Sequence, residues 1–362
     1  MSDRSSRLPR DELRVLGLTL VAVLTFPYLF AEAPVVSDVL NGYAGLATPI
    51  LIWGIFVMGY DLLHGYTGLL SFGHAAFWGA GGMTVGALIY HVEFSFPLVA
   101  VALAVVVGIL LAALIGYLSL RRGGIYFAIL TLAFGQMIYY TMLGPAGELT
   151  NGEDGLLLGE NALFGVIPLN AGLPVLTPLG IIPSWLYAVT AVLTVLSVAV
   201  AYRILQSPYG LVFKAIRENE QRASFVGLNV WRYKLAAFVA SGAFAGLAGG
   251  LHALQAGNAS ASPFRWIISG DVVIMSILGG VGTLFGGFIG AGIYLYMDNV
   301  ASSIGLIGDR WHLLLGIVFV VIVWLFPDGV WGGFRRLRSL ARRVTDTNRT
   351  QTQTQSDEGG ND

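Results

Sequence analysis

Residues 97–119 read PLVAVALAVVVGILLAALIGYLS, a run without a single charged side chain. A helix needs about 20 consecutive apolar residues to cross a hydrocarbon core of about 30 Å. This run is long enough to do so, and further apolar stretches lie on both sides of it. The predicted spans are 15–31, 44–63, 67–90, 97–119, 124–143, 184–205, 235–256, 267–281, 283–300 and 311–327. The sequence therefore predicts an all-α, polytopic membrane bundle with about nine or ten transmembrane segments.

Composition excludes several other classes of protein. Of the 362 residues 56% are hydrophobic and 11% are charged, whereas soluble chains carry about 25% charged residues. A mean hydropathy of +0.73 rules out a soluble globular enzyme. The net charge of −1 argues against a disordered chain and against nucleic-acid binding. Since there is no Cys, disulfides and thiolate chemistry are excluded as well.

The basic residues indicate how the spans are oriented, because Lys and Arg are enriched in cytoplasmic loops. With the N terminus in the cytoplasm, eighteen of the twenty lie on that side. We therefore expect a multi-pass protein of the cell membrane with both termini cytoplasmic. Residues 1–14 would be a cytoplasmic segment, 15–334 the transmembrane domain and 335–362 a polar, disordered cytoplasmic tail.

Two other segments of the chain are unusual. The segment 267–281 is brief and flanked by Gly, which predicts a short or re-entrant helix that protein must bury. Residues 144–183 form a long, acidic outer connection whose Pro and Gly content favours irregular structure.

One long polar stretch separates two spans on the cytoplasmic side: QSPYGLVFKAIRENEQRASFVGLNVWRYK, residues 206–234. Ser207 as an N-cap and Pro208 at the first helical position predict the start of a helix. Gly227 is a suitable C-terminal stop. The apolar positions of this helix are Leu211, Ala215, Ile216, Ala223 and Phe225.

The charges of this loop have two interpretations. Between the apolar positions lie Arg and Glu side chains, which a helix lying along the membrane could present to a soluble partner. Alternatively, the loop is a solvated connector whose charges only follow the positive-inside rule. The residues alone do not decide between the two.

Glycines recur at a spacing of four, which lets neighbouring helices approach closely. Such a stripe would serve a sliding interface in a transporter or the static packing of any bundle. The stripe positions are Gly242, Gly246, Gly250, Gly282, Gly286 and Gly290.

Residues 65–82, GYTGLLSFGHAAFWGAGG, are too rich in Gly for an uninterrupted helix. Broken helices inside a membrane usually line a cavity, so Tyr66, Ser71 and His74 are candidates for a translocation path or gate. For His74 we favour a plainer role, a hydrogen bond to a neighbouring helix that fixes the packing.

Three polar residues in apolar spans are further candidates. Thr131 and Gln136 lie within 124–143 and could bond to a neighbouring helix or contact a passing solute. Asp271 begins an apolar run. A carboxylate is far less costly at a helix start than at the bilayer centre, so we expect Asp271 to cap a helix, with a vestibule contact as the alternative.

Motifs of enzymes are missing from the sequence. Neither Lys214 nor Lys234 follows Gly, so there is no phosphate-binding Gly-Lys-Ser/Thr loop. The five His residues show no metal-ligand spacing. We therefore expect no catalysis, no bound metal and no cofactor in this chain.

Four stretches together resemble a known family. Residues 65–82, RRGGIYFAILTLAFGQ (121–136), GDVVIMSILGGVGTLFGGFIGA (270–291) and the loop 206–234 are similar to the LivM-type permease subunits of branched-chain amino acid ABC importers. In that family a cytoplasmic helix seats on an ATPase subunit, so the segment 206–234 is hereafter the coupling loop. By this resemblance the ATPase-coupling residues are Arg217, Glu218, Asn219, Glu220, Arg222 and Gly227.

The resemblance departs from the general importer motif at two positions. That motif reads Glu-Ala-Ala, three residues and Gly, whereas this chain has Gln221, Arg222, Ala223 and then Gly227. The final Ala and the Gly are retained.

The resemblance implies a permease that forms half of a translocation path for branched-chain amino acids by alternating access. Its partners would be a LivH-like second permease, two ABC ATPase subunits that use the ATP, an extracytoplasmic solute-binding protein and the lipid bilayer. Three alternatives stay open: a permease for urea or short amides, an ion-coupled secondary transporter, and a membrane scaffold that transports nothing.

Overall fold

The computed structural model describes residues 10–31, 44–159, 162–163, 167–169, 171–172, 184–303, 311–325 and 329–332. The expectations for residues 1–9 and for the tail 335–362 fall outside these ranges.

Helices account for most of the described chain. The helices are α1 (Arg10–Ala31), α2 (Ala47–Thr67), α3 (His74–Val92), α4 (Pro97–Ser119), α5 (Ile125–Leu143), α6 (Gly147–Thr150), α7 (Trp185–Gln206), α8 (Pro208–Glu218), α9 (Glu220–Phe225), α10 (Val230–Ala256), α11 (Trp266–Gly279), α12 (Gly286–Ser303) and α13 (Trp311–Leu325). Strands β1 (Leu156–Leu157), β2 (Ala162–Leu163), β3 (Ile167–Pro168) and β4 (Asn258–Ala259) form two antiparallel pairs, β1 with β4 and β2 with β3.

Each of the ten predicted spans coincides with one of these helices, which confirms an all-α membrane bundle. Within the described part of the chain, six stretches are long and apolar enough to cross a bilayer by themselves: α2, α4, α5, α7, α10 and Leu313–Gly332, which begins in α13. At 14 residues and 1.5 Å per residue, α11 is about 21 Å long. It is therefore short, as predicted for 267–281.

Burial separates the centre of the bundle from its perimeter. The hydrophobic windows of α2 and α10 are 78% and 61% buried, whereas those of α4 and α5 are 33% and 28% buried. The outward face of α4 exposes large apolar side chains such as Val106 and Leu110. A bilayer would cover such a face, since lipid tails are as apolar as these side chains.

Glycine brings the central helices into backbone contact. A Cβ on Gly246 would lie 2.6 Å from the carbonyl oxygen of Ala104 on α4, and one on Gly242 would lie 2.3 Å from the Ala112 Cβ. Gly250 faces Ala104 and Val85. The stripe of α10 therefore packs against α3 and α4.

The second predicted stripe is only partly helical, so that prediction needs a correction. Gly286 and Gly290 lie on α12, where a Cβ on Gly290 would lie 1.8 Å from the Met275 carbonyl oxygen of α11. Gly282 instead lies in the turn between α11 and α12 with φ +81°. A left-handed turn residue ends the helical spacing there.

Connections gather at two ends of the bundle. At one end Leu156 pairs with Ala259, and His91 Nε2 lies 2.8 Å from the Leu149 carbonyl oxygen. The connection 144–183 was predicted to be irregular, but its described part contains α6 and three of the strands. At the other end lie the coupling loop and the α11–α12 turn.

Candidate functional site

A break between two helices is the first feature of the site. α2 ends at Thr67, and Gly68 follows with φ +74° while its N–H donates to the His64 carbonyl oxygen over 3.1 Å. α3 begins only at His74. The glycine-rich stretch 65–82 therefore interrupts the helix as predicted, over residues 68–73.

His74 lies at the end of this break and bonds to two hydroxyls. Its Nδ1 lies 3.1 Å from Ser71 Oγ and its Nε2 lies 2.8 Å from Ser241 Oγ on α10. The ring is fully buried and meets Tyr60, Phe77 and Phe238 edge-on. The hydrogen bond to a neighbouring helix that we favoured for His74 is thus present.

Two further helices supply partners for the backbone at the break. The Phe72 N–H donates to Thr131 Oγ1 on α5 over 3.2 Å, and the Ala75 N–H donates to Ser269 Oγ on α11 over 2.9 Å. We call Ser71, His74, Thr131, Ser241 and Ser269 the break cluster. All five side chains are fully buried, so the cluster satisfies the polar groups that the interruption leaves unpaired.

The other predicted path residues lie apart from the break cluster. Tyr66 lies beside the coupling loop, where Lys214 Nζ is 5.9 Å from its ring centroid. Gln136 is half-buried, and its Nε2 has no hydrogen-bond partner among the described residues.

The capping prediction for Asp271 is wrong. α11 begins at Trp266, so Asp271 lies in its second turn, beyond the free N–H groups that a cap could reach. Its carboxylate instead accepts a hydrogen bond of 2.7 Å from the Tyr294 hydroxyl of α12.

A cavity of about 480 Å³ lies elsewhere, between α1, α2, α7 and α12. Its walls are almost entirely apolar, with side chains such as Val23, Ile50 and Phe288. It contains none of the predicted path residues. A zwitterion would leave both of its charges unpaired there, at high cost.

The coupling loop forms two helices rather than the one predicted. Asn219 is extended between α8 and α9, and its Oδ1 accepts from the Arg222 N–H over 2.9 Å as the cap of α9. Gly227 follows α9 with φ +87°. The N–H groups of Gly227 and Leu228 bond back to Ser224 and Ala223, which completes a Schellman stop.

The start of α8 and its buried face also differ from the prediction. Pro208 is the first residue of α8, but the hydroxyl of Ser207 donates to the Ile204 carbonyl oxygen over 2.6 Å and caps nothing. Phe213 and Ile216 face the bundle. Three predicted apolar positions are exposed instead: Leu211, Ala215 and Phe225.

The predicted coupling residues divide into two groups. Arg217 Nη1 donates to the Gly65 carbonyl oxygen at the end of α2, and Glu220 pairs with the buried Lys234 of α10 over 2.6 Å. These contacts fasten the loop to the bundle. Glu218 and Arg222 are exposed, and so is Phe225, which is close to them in sequence.

Sequence reasoning missed Asp61 on α2. Its carboxylate is 3% exposed and accepts from Ser276 Oγ over 3.0 Å and from the Gly282 N–H over 2.8 Å. An acidic residue inside the apolar stretch 44–63 was the available signal, because ionisable groups at such positions are rare and usually functional. Among the described residues no group of three His, Asp or Glu could hold a metal ion.

The interrupted helix, the glycine-packed core and the fastened polar loop define a polytopic membrane protein of the permease class. A family model described as "Branched-chain amino acid transport system / permease component" matches residues 42–323. The chain belongs to this family.

Named relatives agree with this assignment. The high-affinity branched-chain amino acid transport system permease protein LivM of Escherichia coli is 31% identical over 338 residues, covering 89% of this chain and 75% of the relative. LivM of Salmonella typhimurium is 29% identical over 335 residues, with the same coverage. A probable LivH permease of Methanocaldococcus jannaschii is 28% identical over 170 residues, which are 43% of this chain and 51% of the relative. No solved structure matches the chain.

Proposed function

We propose that this chain is a subunit of an ABC importer, forming half of a path for branched-chain amino acids that separate ATPase subunits drive. The observation that carries the proposal is the coupling loop. It is fastened to the bundle by Arg217 and by the Glu220–Lys234 pair, while its outer side remains available to a partner.

The outer side of the loop has the chemistry of a docking surface. Phe225 and Val226 are 88% and 76% exposed, and the charged side chains of Glu218 and Arg222 lie close to them in sequence. Exposed apolar side chains on a polar loop favour a protein partner. A groove on an ATPase subunit would bury them.

Movement of the loop would then reach the bundle through its fastening contacts. α8 contacts α2 and has Phe213 and Ile216 buried against the bundle, so a push on the loop would tilt α2 and its neighbours. Backbone contacts at glycine, such as Gly246 against α4, permit small sliding motions without side-chain repacking. Alternating access would follow from such tilting.

The solute path would lie between this chain and a LivH-like second permease. The buried break cluster has its hydrogen bonds satisfied within the chain, and the cavity is too apolar for an amino acid. A path shared by two subunits does not need a polar cavity inside either one. An extracytoplasmic solute-binding protein would deliver the cargo.

In this proposal the coupling loop and both termini are cytoplasmic, as the excess of basic residues indicates, and the protein resides in the cell membrane. ATP would be consumed by the partner subunits, since the chain lacks a phosphate-binding lysine motif.

ATP-driven uptake tests this function. The chain, its second permease and the ATPase pair would be reconstituted in proteoliposomes and supplied with the binding protein and labelled leucine. The proposal predicts uptake that requires the ATPases and ATP. Uptake by the chain alone under an ion gradient would identify a secondary transporter instead. Competition by urea or short amides, but not by valine, would identify a different cargo.

A further inference from the structure

A buried carboxylate joins α2 to the turn between α11 and α12. Asp61 lies six residues before the end of α2, and both of its oxygens lie within 3.0 Å of the Gly282 N–H. Ser276 on the last turn of α11 donates to one of these oxygens. A buried carboxyl oxygen that loses its donors bears the full cost of its desolvation, so the turn is held firmly to α2.

Glycine makes this contact possible. A Cβ on Gly65 would lie 2.5 Å from both Asp61 Oδ1 and the Gly282 nitrogen. Gly282 itself has φ +81°, a conformation that other residues adopt only with strain. The end of α2 and the turn are thus in direct backbone contact around the carboxylate.

The coupling loop reaches the same point from the other side. Arg217 donates to the Gly65 carbonyl oxygen, and its Nη1 lies 3.0 Å from where a Cβ on Gly282 would be. One residue of α8 therefore contacts both of the elements that Asp61 joins.

We propose that Asp61 is a positioning residue for energy coupling. Through Asp61, the helical hairpin formed by α11, the turn and α12 moves together with α2 when the coupling loop moves. The inference rests on the proposed function, because it assigns Asp61 a part in transmitting the movement of the ATPase subunits to the bundle. Ser276, Gly282 and Arg217 are the groups through which it acts. Gly279 of α11 and Gly290 of α12 are in close backbone contact, so the two helices of the hairpin would move as one unit.

The chemistry of the site requires a carboxylate. The Gly282 N–H lies within 3.0 Å of both carboxyl oxygens. The NH₂ group of an amide would therefore face this N–H in either orientation, donor against donor. Asp61→Asn therefore keeps the size of the side chain but loosens the turn from α2.

The test compares uptake with ATP hydrolysis in the reconstituted importer. Asp61→Asn is expected to retain the ATPase subunits and to hydrolyse ATP, but to import about tenfold fewer molecules per ATP, as expected for one lost buried hydrogen bond. Ser276→Ala is expected to reduce this ratio less, since it leaves the bonds to Gly282. Ser119→Ala is the matched control, since this buried hydroxyl has no hydrogen-bond partner among the described residues; its ratio should equal that of the wild type.

Two outcomes would overturn the inference: an unchanged ratio in Asp61→Asn, or an equal fall in Ser119→Ala. If Asp61→Asn fails to fold, Arg217→Gln decides the matter, because it removes the loop side of the same junction and should also lower the ratio. A wild-type chain that neither binds the ATPases nor imports with ATP would refute the proposed function itself, which is a distinct result.

Discussion

Replacing Gly249 by Ala should force two central helices apart. An added Cβ would lie 1.9 Å from the carbonyl oxygen of Trp78, whereas such contacts are rarely shorter than 3.0 Å. α3 and α10 must therefore separate by about 1 Å, and a gap of that size forfeits a quarter to a half of the dispersion energy of the facing atoms. Overpacking of this kind costs about 1–3 kcal/mol.

Gly270→Ala is the matched control for this prediction. Gly270 also lies within a helix, but nothing lies within 4 Å of its added Cβ. Both variants gain about 1 kcal/mol or less in helix propensity. The difference between their free energies of unfolding therefore measures the cost of the close contact alone. Gly249→Ala should be less stable than Gly270→Ala by about 1–3 kcal/mol.

The free energy of unfolding would be measured by titrating the purified protein from mild detergent into a denaturing one. Equal stability of the two variants would refute the close approach of α3 and α10. So would a Gly270→Ala variant that is destabilised as much as Gly249→Ala.

Two further variants test the break cluster and the docking surface. His74→Ala leaves the Ser241 hydroxyl without its partner and the Ser71 hydroxyl with only the Gly73 N–H. The free energy of unfolding should therefore fall by about 2–5 kcal/mol, while leucine uptake by the surviving folded protein should keep its wild-type KM. A raised KM at normal stability would make His74 a path residue. Phe225→Glu should weaken co-purification with the ATPases at least about tenfold. Leu157→Glu should not, since Leu157 is also an exposed apolar residue but lies at the opposite end of the bundle. Equal losses would contradict docking through the loop.

Most of the fold could be predicted from the sequence, since apolar length alone indicated a helix in each of the ten predicted spans. Six of the described stretches are long and apolar enough to cross a bilayer. The interruption at 68–73 was foreseen from the glycines, but its limits depend on tertiary partners. The Thr131 and Ser269 side chains that satisfy the backbone there come from distant parts of the chain.

The errors have a common physical cause, which is that local patterns do not reveal which neighbour a side chain meets. Leu211 is apolar but faces outward, since α8 is turned to bury Phe213 and Ile216. Phe225 faces outward on α9, which buries Ala223 instead. Asp271 resembled a helix cap because an apolar run begins there, yet α11 begins more than one turn earlier, at Trp266. The role of Asp61 depends on its contact with Gly282, which is 221 positions away in the sequence.

The break at Asn219 could have been found from the sequence. Asn followed by Glu is a strong N-cap signal, and Asn219 precedes Glu220 within the stretch interpreted as one helix. The extended conformation of Asn219 and its bond to the Arg222 N–H fit that signal.

The central claim, that a partner ATPase drives transport through this chain, is tested most directly by the initial rate of labelled leucine uptake into proteoliposomes. Vesicles would contain either this chain with its second permease and ATPases or this chain alone, each with ATP on the ATPase side and binding protein on the other. The account predicts uptake only in the complete assembly, abolished by an ATPase variant that cannot hydrolyse ATP. Uptake that persists with that variant, or with the chain alone, would contradict it.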